Sequence, residues 1–384
     1  MQEFFEFSLG ARVLYKAGLS HEISSEIAYL NASRVFFIAD KGVSAAGLLE
    51  PVIASFAQSM EVVGVFDTVP ANSSVGIVME AASQAREAGA DLLIAVGGGS
   101  PIDTAKCVRI ILSLGGHLLD YQGYNVLEQP LTPLIAIPTT AGTGSEVTPY
   151  AVIRDLNQDL KLTFASHFLT PTLAVLDPLI TRSMPPQLTA ATGMDALTHA
   201  IEAYVSTDNN PISDSLALHA IDLIANNLRQ ATHHGADLEA RGSMLLASCM
   251  AGMAFSNAFL GVIHAMAHAI GGKHAVHHGT ANAIVLPHGM EFNSAIVPDR
   301  FARIARALGV NVGGRSQAEV IAEGVAAVRT LSSDCELPTR LRDVSVPEEA
   351  LPELALIALT DAAIFNNPRS TSEEELLKLF RAAW

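Results

Sequence analysis

The rhythm of apolar and polar positions changes once along the chain. Up to about residue 177, short apolar runs alternate with helical patterns. Residues 34–39, 62–66, 92–96 and 134–137 are almost continuously apolar and of strand length, and 150–153 and 173–176 look like further strands. Helical spacing fills about 44–58 and 74–88. Another helix is expected to start at Pro101, with Ser100 as its N-cap. Continuous apolar strands separated by helices predict a mostly parallel sheet covered on both faces. From Leu188 onward, after Pro185-Pro186, the pattern is almost wholly helical. Gly271-Gly272 is expected to end one of these helices, and Pro211, Pro298 and Pro347 to open later ones. The expected fold is an α/β N-terminal domain over 1–183 followed by an all-α domain over 184–384.

Composition narrows the choice of partners. With 384 residues, 49% hydrophobic and 16% charged, the chain can bury a large core. A net charge of -16 argues against a nucleic-acid or anionic-membrane partner. Cys107, Cys249 and Cys335 are odd in number and far apart. They form no disulfide framework, so a reducing, cytoplasmic setting is expected. Met1-Gln-Glu-Phe-Phe-Glu-Phe places acids where a secretory signal needs basic residues. Residues 244–270 hold no Asp, Glu, Lys or Arg and are long enough to span a bilayer. They also hold Ser248, Ser256, Asn257, His264 and His268, which are costly in lipid, so a buried helix or helix pair is expected.

Two regions carry candidate chemistry. Gly97-Gly98-Gly99-Ser100-Pro101 follows a strand and opens a helix. Such a loop suits a phosphate, through free N–H groups and the helix dipole, and it also suits a plain turn. The small-residue loop 139–146 follows the next strand and strengthens the first reading. Asp40, at the end of the first apolar run, either accepts ribose hydroxyls and so favours NAD over NADP, or is an ordinary cap aspartate. The acid precedes the glycines here and no G-x-G-x-x-G is present, so this is not the standard dinucleotide fingerprint. The second region runs from Asp195 to His288 and holds most of the thirteen histidines. Asp195/His199 and His264/His268 are i,i+4 pairs in apolar helical stretches. Buried acids and imidazoles need partners, and a shared cation supplies one. Asp195, His199, His264 and His278 form the candidate set, which leaves an open position for a substrate oxygen. His219, His233 and His234 read as surface or cap residues; His274 and His277 are ambiguous; His288 is either a ligand or a neighbour of one.

Together these stretches resemble the iron-containing (group III) alcohol dehydrogenase family, also in Gly193-Met-Asp-Ala-Leu-Thr-His199, Gly261-Val-Ile-His264, His278-Gly-Thr-Ala-Asn282 and Asn367-Pro-Arg369. The resemblance covers essentially the whole chain. It implies an N-terminal dinucleotide-binding domain, an all-helical metal domain and an active site in the cleft between them. By position it implies Asp195, His199, His264 and His278 as metal ligands. His268 then lies beside the metal and is a candidate proton relay. It implies cofactor contacts at Asp40, Asn72, Gly97, Gly98, Gly99, Ser100, Thr139, Thr140 and Lys161, and a pocket residue at Phe255. His277 and Ala269 stand where the family commonly has proline. The activity implied is NAD-dependent interconversion of small primary alcohols and aldehydes, with iron(II) first among the ions and zinc or another first-row ion as alternatives, in a homodimer or larger oligomer. Glycerol, diol or dehydroquinate-synthase-like chemistry on the same fold is one alternative, and a non-catalytic metal-stabilised assembly subunit is another.

Overall fold

The computed structural model describes residues 4–158 and 160–384; Met1–Glu3, part of the acidic start read above, lie outside them. The chain divides into two compact units, one of Leu9–Thr140 with Gly144–Ser183, the other of Ala141–Thr143 and Met184–Trp384 with the residues up to Ser8.

The first unit contains strands β1 (Arg12–Tyr15), β2 (Arg34–Ala39), β3 (Glu61–Phe66), β4 (Leu92–Gly97), β5 (Gly123–Tyr124), β6 (Leu134–Pro138), β7 (Tyr150–Asp155), β8 (Leu160–Ala165) and β9 (Leu173–Leu176), with helices α1 (Lys41–Ala45), α2 (Leu49–Phe56), α3 (Val75–Glu87) and α4 (Gly99–Leu114). Six strands form one sheet in the order β1-β9-β6-β4-β2-β3, and every pairing in it is parallel. Side chains alternate between its faces, as the pleat requires. Phe36, Ile38, Leu93 and Ala95 join one apolar core, whereas Val35, Phe37, Leu92 and Ile94 join another. This two-sided burial is why the strands read as unbroken apolar runs.

Three expectations are corrected here. Residues 150–153 do form a strand, but β7 belongs to a separate sheet, β5-β8-β7, where it runs antiparallel to β8. Its burial alternates, and Val152 is exposed, so it was never a doubly covered strand. Helix α4 begins at Gly99, with Gly98 rather than Ser100 at the N-cap. Ser100 is inside the first turn, and its Oγ accepts the Asn72 N–H at 3.2 Å. Gly271 and Gly272 do not end their helix, which runs on to Lys273.

The second unit contains α5 (Pro186–Val205), α6 (Pro211–His233), α7 (Leu238–Ala258), α8 (Val262–Lys273), α9 (His278–Ser294), α10 (Pro298–Ala307), α11 (Gln317–Asp334), α12 (Leu351–Leu359) and α13 (Glu373–Ala383). Helix α5 is buried on every side from Thr189 to Val205, so it shows no polar stripe. Its small residues let neighbours come close. A Cβ on Gly279 of α9 would collide with the Ala191 carbonyl oxygen of α5 and sit 3.3 Å from the Asp195 Cβ. No single described helix is long and apolar enough to cross a membrane; α7 and α8 pass that test only as a pair bent by 105°.

Gly279→Ala should therefore wedge α9 off α5. We expect a loss of about 3 kcal/mol in chemical denaturation, because rigid backbone rather than a flexible side chain blocks the new methyl.

Candidate active site

Helix α5 contributes three polar side chains on one face. Asp195, His199 and Glu202 stand at i, i+4 and i+7, and all are buried. His264 lies in the first turn of α8, where the sequence offers no cap of its own. Two distant side chains supply it. Asn367 Oδ1 accepts the Val262 N–H at 3.1 Å. Glu202 Oε1 accepts the Ile263 N–H at 2.7 Å, and its Oε2 accepts the His264 N–H at 3.3 Å. The same Oε2 is 2.5 Å from His264 Nδ1. His278 opens α9, and the close α5–α9 packing at Gly279 brings it over Asp195.

The donor atoms converge. Those of Asp195, His199 and His264 all lie within 4.8 Å of one another. His278 Nε2 is 3.4 Å from Asp195 Oδ1, and His264 Nε2 is 3.9 Å from it. The His199 ring stacks on Phe255 and on His264, each at 4.5 Å between centroids. Burial lowers His199 below the ordinary imidazole value, and Asp195 and the Gly142 backbone only partly oppose it. Burial, then neighbouring His199, His278 and His268, drive His264 well below that value. Burial alone would raise the Asp195 carboxyl, but His199, His278 and the Asn282 amide together hold it below its usual range. One carboxylate and neutral imidazoles with converging lone pairs fit a first-row divalent ion. Burial pushes Glu202 up to about 8 against the pull of the Ile263, His264 and Gly261 N–H groups, and a bound cation would draw it back.

His268 lies beside this group. Its ring stacks on His278 at 5.4 Å, and its Nδ1 is 2.9 Å from Asp361 Oδ2. His277 is exposed at the N-cap of α9, so His278 is the one of the two that joins the cluster. His274 is the C-cap of α8. His288 sits ten residues further along α9, about 15 Å by helical rise, with Arg329 and Glu291 as its charged neighbours. His219 and His233 are exposed, and His234 is the C-cap of α6.

In the sheet unit, β2, β4 and β6 are neighbours and deliver most of the other candidates at their carboxyl ends, while Asn72 follows β3 and Lys161 lies on β8. Asp40 Oδ1 accepts the Val43 N–H at 3.0 Å and caps α1. Its Oδ2 would be 3.2 Å from a Cβ at Gly97, which would also meet Pro101 Cγ at 2.5 Å, so glycine is required there. Thr140 Oγ1 would be 3.1 Å from a Cβ at Gly98, and the Thr139 N–H donates to Gly97 O at 3.0 Å. With the Asn72–Ser100 bond, these contacts bring Asp40, Asn72, Gly97, Gly98, Ser100, Thr139 and Thr140 into one neighbourhood, with Gly99 starting α4. Lys161 is exposed on β8 opposite Arg154, whose N–H donates to Ser73 O at 2.8 Å, one residue from Asn72. Beneath the loops, buried Lys106 Nζ donates to Ser145 Oγ and Thr148 Oγ1, both at 3.0 Å. Asp103 accepts from Ser145 Oγ at 2.6 Å and from the Val152 N–H at 3.0 Å, which ties α4 to β7.

Sequence reasoning gave no role to Glu202, Asn282 or Asp361. For Glu202 the i+7 spacing from Asp195 was a usable signal, and for Asn282 the i+4 spacing from His278 was another. Asp361, far along the chain, offered none.

The donor cluster of the helical unit suits a divalent ion, and comparison with known proteins gives the class, a metal-dependent oxidoreductase. Residues 10–178 match the family described as iron-containing alcohol dehydrogenase, and residues 189–384 match the C-terminal part of the same family. The chain is 41% identical over 357 residues to the 1,3-propanediol dehydrogenase of Klebsiella pneumoniae, covering 92% of each. It is 36% identical to the NAD-dependent methanol dehydrogenase of Bacillus methanolicus, covering 95% of this chain and 96% of that one. A crystal structure of 1,3-propanediol oxidoreductase superposes with a TM-score of 0.97 at 39% identity, covering 100% of both chains. The chain belongs to the iron-containing alcohol dehydrogenase family. It is an enzyme that interconverts alcohols and aldehydes.

The pKa directions give a sign for metal-free protein. His199 and His264 are held below 6.5 when folded, so the unfolded chain binds more protons below that pH. Their contribution to stability is present above about 6.5 and is lost as pH falls. Chelator-treated protein should lose roughly 1.4 kcal/mol per pH unit for each imidazole that stays neutral, read by denaturation at stepped pH.

Proposed function

We propose that this enzyme moves hydride reversibly between a small primary alcohol or diol and NAD, using a divalent ion held by Asp195, His199, His264 and His278. The observation that carries this reading is the convergence of those four buried or half-buried donors. Iron(II) is the first choice of ion, with zinc or another first-row ion as alternatives. When bound, such an ion supplies Lewis acidity toward an alcohol oxygen, and NAD supplies the hydride acceptor. Asp40, Asn72, Gly97, Gly98, Gly99, Ser100, Thr139, Thr140 and Lys161 are assigned to the dinucleotide: glycine-loop amides to phosphate and Asp40 to ribose hydroxyls. The Asp40 carboxylate would repel a 2′-phosphate, which favours NAD.

His268 is assigned the proton. Asp361 Oδ2 beside Nδ1 fixes the ring so that Nε2 is the atom left to take or give a proton. Phe255 presents an apolar ring against His199 and is assigned to the substrate pocket. The three cysteines are buried and unbridged, which favours a cytoplasmic setting, and we propose a homodimer or larger assembly. Diols remain within the proposal because a propanediol dehydrogenase is among the relatives.

Nicotinamide absorbance with short alcohols, glycerol and 1,3-propanediol tests the proposal. Activity should vanish after chelation and return with iron(II) or zinc. Asp195→Ala should neither hold metal nor turn over. His268→Ala should keep its metal while kcat falls about 100-fold and the pH profile changes. An unchanged rate and profile would remove His268 from the proton path.

A further inference from the structure

Asn282 sits where none of the assigned roles places it. It lies one helical turn after His278 on α9 and is 0% exposed. Its Nδ2 is 2.6 Å from Asp195 Oδ1, 3.2 Å from His264 Nε2 and 3.2 Å from His278 Nε2. These are three of the four side chains assigned to the metal. The orientation of the amide follows from its neighbours. The Asp195 carboxylate has only lone pairs to offer, so the atom 2.6 Å away is the nitrogen and not the oxygen. An NH2 group can approach only bare imidazole nitrogens, so His264 and His278 turn lone pairs toward it. That puts the His264 proton on Nδ1, where Glu202 accepts it. Asn282 Oδ1, on the other side of the amide, is buried with no hydrogen-bond partner among the described residues. The side chain is therefore engaged entirely through its positive end.

We propose that Asn282 is a placeholder for the cation: a positioning residue whose NH2, giving one hydrogen to Asp195 and sharing the other between His264 and His278, holds these three in converging geometry while the metal is absent, and which turns away when the metal arrives. The inference rests on the ligand set proposed above. The physical reason is a competition for lone pairs. An N–H and a cation cannot both occupy the same imidazole lone pair, and the partial positive charge of the NH2 is repelled by the ion that replaces it. Turning releases the amide from an arrangement in which its oxygen had no partner. Without the placeholder, a carboxylate and two imidazole lone pairs would face one another in a buried space with nothing between them, which is costly.

A group that stabilises only the metal-free form opposes metal binding by the same factor, since the two equilibria are linked. This gives Asn282 a signature that ordinary core packing lacks. In Asn282→Ala, the melting temperature of chelator-treated protein should fall by roughly 2–4 °C, and that of zinc-loaded protein by clearly less. Zinc affinity, measured by competition with a chromophoric chelator, should rise roughly 3- to 10-fold. Asn282→Asp, of the same shape, should shift both readings further in the same directions, because two carboxylates then need a cation between them. For wild-type protein, crystal structures with and without zinc should show Nδ2 in reach of both Nε2 atoms only without it. Equal falls of the two melting temperatures, weaker zinc binding in the variants, or an amide that does not move on loading would overturn the placeholder and leave the ligand set standing. Wild-type protein that takes up no zinc would overturn the ligand set itself, and the placeholder with it.

Discussion

Polar donors do not sit inside an alanine-rich helix cluster without compensation. Asp195, His199, His264 and Glu202 are all buried, and α5 is enclosed along most of its length. Leaving such groups unpaired costs several kcal/mol in total, so the local structure is arranged to satisfy them. Glu202 takes N–H groups from the start of α8 as well as the His264 ring. Asn282 takes Asp195. Asp361 takes His268. What these partners leave is a set of lone pairs turned inward toward one another, and that set is what suits a divalent ion.

The same demand explains the helix geometry. A histidine near the start of α8 needs that N-terminus to come against α5, so the chain turns 105° after α7 within a few residues. Phe259 adopts a positive φ of 63° at that turn. The N–H groups exposed by the turn find Glu202 and Asn367 rather than water. Gly279 lets α9 come close enough to set His278 over Asp195. In the sheet unit, backbone proximity does the comparable work. Glycines at the end of β4 let Asp40, Thr140 and Pro101 crowd one turn, and Lys106 with Asp103 fixes the neighbouring strand from below.

Much of this was legible in the residues. The buried parallel strands announced themselves as apolar runs, and the i,i+4 spacing of Asp195 and His199 held because α5 is a regular helix. Legibility failed where local signals were overruled. Gly271-Gly272 looked like a stop, yet the helix continues to Lys273. Ser100 looked like a cap, yet the helix begins at Gly99 and Ser100 serves Asn72 instead. β8, and the antiparallel place of β7 beside it, escaped because a small, half-exposed sheet lacks the continuous apolar run of a buried strand. Asp361 and Asn367 reach the site from more than ninety positions away. Only the three-dimensional path reveals that kind of neighbour.

The central claim is that these donors close around one ion. Titrating chelator-treated protein with cobalt(II), and following visible absorption, tests it most directly. The account predicts saturation at one ion per chain, with the intense bands of a low-coordinate site that weaken or vanish in Asp195→Ala and His264→Ala. Faint bands of a six-coordinate aquo ion, or saturation unchanged by those substitutions, would contradict it.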